Sequence, residues 1–124
     1  MIIYISGPIT GIKNNNADAF FHMENELNRI FHNKVYLKII NPITLGKRVD
    51  MYFDEISRIK QTNEIPEWKD YMRVCIAELV YCTHVIVLKN YEKSKGVKTE
   101  LFIAKLLDIP IFFNLKELER KARI

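Results

Sequence analysis

Cysteine is nearly absent from this chain, with Cys75 and Cys82 alone among 124 residues. They stand seven positions apart on what reads as one helix. At 1.5 Å rise per residue their Cα atoms would be ~10 Å apart, beyond disulfide reach. Both read as small buried apolar residues. Histidine is equally sparse: His22, His32 and His84 are isolated, so no metal and no cofactor is expected. No apolar run is long enough to span a bilayer, and no signal segment precedes Ile2, which already begins a strand. A cytoplasmic, reduced protein without a membrane partner is expected. No long basic stripe with interleaved aromatics occurs either, which ranks a nucleic-acid partner low.

What is present is a globular composition. Hydrophobic residues make up 48% and aromatic residues 11%, enough for a core without staples, so residues 1–124 read as one domain. The net charge of +4 is modest. Much of it sits in Lys89, Lys93, Lys95 and Lys98 and in the tail from Lys116 to Arg123, and a basic loop beside a glycine turn suits a small anionic ligand.

Along the chain, Met1–Ile5 is apolar without alternation, as a buried parallel strand should be. It breaks at Ser6-Gly7-Pro8-Ile9-Thr10-Gly11. Asn16 is positioned to cap a helix from Ala17 to about Phe31, and Phe20, Met23, Leu27, Ile30 and Phe31 fall at helical spacing. A second strand is expected over Val35–Ile40, stopping at Asn41-Pro42. Thr44 to Pro66 reads as an inserted helical segment (about 44–65) that ends in a flexible join, Gln61–Glu64. Pro66 would open the next helix, Glu67 to about Tyr81. Thr83–Leu88 is the third strand, Leu101–Leu107 a buried helix, Ile109–Phe113 a short strand at an edge, and Leu115–Lys121 a closing helix.

The organising stretch is Tyr91–Glu100, YEKSKGVKTE. It joins a buried strand to a buried helix through a loop carrying Ser94 and Gly96, with Glu100 expected in the first helical turn. Helix starts attract anions, and a carboxylate there is stabilised as the anion. Alternating strands and helices imply an α/β fold with a parallel sheet of four to five strands and helices on both faces. The flavodoxin-like (Rossmann-like), doubly wound order 2-1-3-4 follows from right-handed crossovers. Ligands of such sheets bind where the chain reverses, outside the carboxyl ends of the strands. Loops Ser6–Gly11 and Lys89–Gly96 leave the two strands at that point and converge on one site.

Four motifs stand in series: Tyr4-Ile5-Ser6-Gly7-Pro8-Ile9-Thr10-Gly11, Asn41-Pro42, Trp68-Lys69-Asp70-Tyr71-Met72-Arg73, and Ser94-Lys95-Gly96 with Glu100. Together they resemble the nucleoside 2-deoxyribosyltransferase-like superfamily, in particular a small branch frequent in phages and prophages. The resemblance implies that Glu100 is a nucleophile attacking the anomeric carbon of a deoxyribose, with Tyr4 orienting it. It places Ser6, Gly7, Pro8, Ile9, Asn41, Ser94, Gly96 and Cys75 around the ligand. Ser94 matches the deoxynucleoside 5′-monophosphate N-glycosidases, where this serine helps hold the 5′-phosphate. Cys75 departs from the pattern, because the family has an Asp there that assists the leaving base.

The implied ligand is a small nucleoside or nucleotide, and the implied assembly a homodimer or larger homo-oligomer. An enzyme cleaving or transferring an N-glycosidic bond is one expectation. A non-catalytic nucleotide-binding or nucleotide-sequestering protein of the same fold is the alternative, and a structural protein acting through the 44–65 segment is a third.

Overall fold

The computed structural model describes residues 1–122. Four strands, β1 (Ile2–Ser6), β2 (Lys38–Ile40), β3 (His84–Val87) and β4 (Ile111–Phe112), form one sheet in the order β2-β1-β3-β4. Every pairing is parallel. Five α-helices accompany them: α1 (Ala17–Ile30), α2 (Pro42–Lys60), α3 (Trp68–Leu79), α4 (Lys95–Leu106) and α5 (Leu115–Ala122). The expected doubly wound, flavodoxin-like arrangement is the one observed.

Strand alternation explains why helices cover both faces. On one face Tyr4, Val85 and Val87 pack with Leu45 of α2, Cys75 and Leu79 of α3, and Val97 and Ala104 of α4. On the other, Ile3, Ile5, Ile86 and Leu88 pack with Phe20, Leu27 and Ile30 of α1 and Leu118 of α5. Burying apolar surface is worth roughly 25 cal/mol per Å², and these two clusters carry most of it.

Several boundaries differ from the sequence reading. β2 is only Lys38–Ile40: its register with β1 begins at Ile2 opposite Lys38, and Val35 and Tyr36, before that point, are 86% and 85% exposed. Asn16 does not cap α1. It lies with Asn14 and Asn15 in the left-handed region, φ 52° to 62°, which asparagine tolerates, and its Nδ2 donates to the Pro8 carbonyl at 2.9 Å. The segment read as an insert is one helix, α2, that begins directly after β2, with Asn41 Oδ1 accepting from the Ile43 amide at 3.0 Å. Gln61–Glu64 is tied rather than loose, since the Glu64 amide donates to Ser57 Oγ at 2.7 Å. Pro66 lies before α3 rather than in it. α4 begins six residues earlier than expected, at Lys95, so Glu100 sits in the second turn, not the first.

Candidate functional site

β1 ends in Tyr4-Ile5-Ser6, and alternation turns Tyr4 and Ser6 to the same face. That face is covered by α4. Ser94 starts α4 as its cap, with Oγ accepting from the Val97 amide at 3.2 Å. A helix repeats nearly every four residues, so Gly96 and Glu100 share one side, with Gly96 one turn nearer the helix start. Glu100 therefore projects inward and meets β1. Its Oε1 accepts from Ser6 Oγ at 2.8 Å, and its Oε2 accepts from the Tyr4 hydroxyl in a very short bond. Glu100 is 5% exposed, and Tyr4 and Ser6 are wholly buried.

Two hydroxyl donors favour the carboxylate, whereas burial disfavours any charge. Burial wins at Glu100, pushing its carboxyl up to about 7 against the pull of Tyr4 and Ser6. Tyr4 is held well above its ordinary value, first by burial and then by the neighbouring Glu100 charge. Its hydroxyl donates a hydrogen bond to Glu100 and stays protonated. Cys75 lies close enough to feel both: burial pushes its thiol up to about 11, the Tyr4 hydroxyl opposes this, and the Glu100 charge adds to it. The expectation that a first-turn dipole keeps Glu100 anionic is thus corrected. The carboxyl lies too deep in α4 for the helix end, and desolvation decides.

The structure brings Tyr4, Ser6, Cys75 and Glu100 together directly. Gly7 and Pro8 follow Ser6 and are buried, and Ile9 is half-buried. A Cβ at Gly7 would stand 2.6 Å from Leu88 Cδ1 and 3.0 Å from Leu88 Cβ, so glycine is required there by packing between the ends of β1 and β3. Gly96 is different. A Cβ there would meet nothing nearer than Met72 Sδ at 3.6 Å. The fold itself leaves room for a side chain at this first-turn position. With no side chain, Gly96 leaves the helix start bare on the side that Glu100 shares one turn further on. Asn41, at the end of β2, is buried and caps α2.

Trp68, read from sequence as a packing residue, borders the same helix start. It is 40% exposed, its indole lies under the Lys95 ammonium at 4.3 Å, and its Nε1 is 4.0 Å from the Cβ position of Gly96. The signal for it was the motif beginning WKD, whose Asp70 instead accepts from the Glu67 amide at 2.8 Å and closes the start of α3. The amino end of α4 is thus a helix start whose Val97 amide is taken by Ser94 and whose Lys95 and Gly96 amides are its first two, with Lys93, Lys95 and Lys98 close by in sequence. Among the described residues no group of three His, Cys, Asp or Glu is arranged to hold a metal ion. Among the described residues no helix is long and apolar enough to cross a membrane.

A family model described as a domain of unknown function, DUF4406, matches residues 1–113. The chain belongs to the DUF4406 family. The match takes in β1 through β4 and so every residue of the site just described. No curated protein and no solved structure matches this DUF4406 chain.

Proposed function

We propose that this protein cleaves or transfers the N-glycosidic bond of a (deoxy)nucleoside 5′-monophosphate, with Glu100 as nucleophile. The observation that carries the reading is the buried Glu100 carboxyl held by Tyr4 and Ser6 at the carboxyl end of the central strand. An ionised Glu100 oxygen attacks the anomeric carbon, the carbon–nitrogen bond breaks with its electron pair going to the base, and a glycosyl ester forms. Water or a second base then displaces Glu100 from that ester, as in a retaining glycosidase. Tyr4 and Ser6 fix the carboxylate by one donor on each oxygen. Ser94, the first amides at Lys95 and Gly96, and the nearby lysines suit the 5′-phosphate. The leaving base takes a proton, and the resemblance puts Cys75 at the position of the residue that assists it.

That last point favours a second reading. A thiol raised to about 11 is a weak acid for a leaving base. A nucleotide-binding protein with no turnover would need the same cradle and no such acid. Chromatography of deoxynucleoside and ribonucleoside 5′-monophosphates after incubation separates the two. Free base that is lost in Glu100→Ala is the expected result. Tight binding without base release would establish the binder, and neither binding nor release would overturn both readings.

A further inference from the structure

The stripe that seats α2 on the molecule runs on after its cover ends. Val49, Tyr52, Ile56 and Ile59 recur at alternating spacings of three and four, which keeps them on one side of a helix. In the first half of α2 the apolar residues Pro42, Leu45 and Val49 are buried. Beyond Val49 the stripe is left bare. Phe53 and Ile56 are half-buried, and Tyr52 and Ile59 are 63% and 66% exposed. Met51, beside them, and Ile65, just after the helix, are exposed as well. Single apolar residues on a surface need no explanation, but a contiguous stripe does.

Charge along the helix points to what covers it. The acids Asp50, Asp54 and Glu55 come first and the bases Arg58 and Lys60 follow, with Ile56 between the two groups. A second α2 laid antiparallel, about a two-fold axis near Ile56, sets the acids of each helix against the bases of the other. A parallel partner would set like against like. The stripe is therefore complementary to itself in one orientation, as a two-fold interface requires. The charges are also available. Among the described residues Asp54 has no ion-pair partner, and Arg58 and Lys60 pair only at the surface, with Glu55 and Glu64. The bare half of α2 is held in place by its own end: Gln61 closes the helix at φ 56°, and Ser57 Oγ accepts from the Glu64 amide. A surface already ordered loses little freedom on association.

We infer that the protein self-associates through α2, two copies packing their Tyr52–Ile59 stripes antiparallel about a two-fold axis. The stripe and the order of its charges carry this assignment, which is independent of the nucleotide reading.

Sedimentation equilibrium of the full chain at micromolar concentration reads the mass directly. Tyr52→Asp and Ile59→Asp change exposed positions, so each should keep the parent's helical circular dichroism while its mass halves. The charges are tested by reversal. Asp54→Lys with Glu55→Lys, and separately Arg58→Glu with Lys60→Glu, are each expected to weaken association about tenfold or more. All four together put opposite charges back across the axis and should recover it. A monomeric parent would leave the stripe to a different protein and overturn the assignment. Aspartate variants that keep the parent's mass, or four reversals no better than two, would overturn it as well.

Discussion

The carboxyl of Glu100 is drawn toward ionisation by two hydroxyl donors and away from it by burial, and the balance lies at about 7. In the unfolded chain the same group titrates near 4.5. Between those values the unfolded state gives up its proton while the fold keeps it, so the unfolded state binds fewer protons. Stability from this group is therefore greatest below about pH 4.5, falls as pH rises to about 7, and is level above that. The loss is of order 3 kcal/mol. Glu100→Gln removes it while keeping a polar partner for Tyr4 and Ser6. We expect the variant to melt several degrees above the parent at about pH 8 and close to it at about pH 4.5. Coincident melting curves at both would show that Glu100 is not held protonated by its surroundings. In the parent, base release should rise with pH along a limb near the same value, because the nucleophile must be ionised.

At the scale of the element, α4 joins two duties at one end. Ser94 caps the helix and lies where the 5′-phosphate is proposed to bind, and both duties use the same helix start. Ser94→Asp separates them, since aspartate caps as well as serine but places a negative charge there. The expected outcome is an unchanged melting temperature with nucleoside monophosphate binding weakened at least tenfold and free nucleoside binding retained. A calorimetric titration in which both ligands bind as before would remove the phosphate from Ser94. The helix also shows what sequence patterns miss. Leu101–Leu107 carries the apolar signal, and the polar run Lys95–Glu100 hides the first half of α4. The polar residues are there because the helix start faces solvent, while Val97 and Glu100 turn inward. β2 erred the other way: Val35 and Tyr36 have strand-like character but lie before the register with β1, which begins at Lys38, and stay exposed. Propensity describes a residue's fitness for a sheet, and the partner decides whether it joins one.

For the molecule as a whole, the two-sided core leaves an apolar groove open between α3 and α4, lined by Trp68, Met72, Ile76 and Ala77 together with Lys69 and Arg73. It begins at Trp68, beside the start of α4. A second copy seated there would shield that helix start from water, which fits the proposed homodimer or larger assembly. Light scattering should then give a mass of at least two chains, and Ile76→Asp should lower it. A monomer at micromolar concentration would count against any such assembly.

The sequence by itself determined the α/β class, the strand order, and the convergence of two loops at the carboxyl edge of the sheet. Those properties follow from periodicity, from glycine and proline breaks, and from the handedness of crossovers, all of which are local or nearly so. Topology and motif resemblance together also pointed to Tyr4, Ser6, Cys75 and Glu100, which the fold brings into one cluster. Only the tertiary structure decided what state they are in. Whether Glu100 carries a charge depends on what desolvates it, and whether Ser6 faces a ligand or a carboxylate depends on which helix side covers β1. Each is set by atoms far apart in the chain, and a pattern along the chain does not record the distance between them.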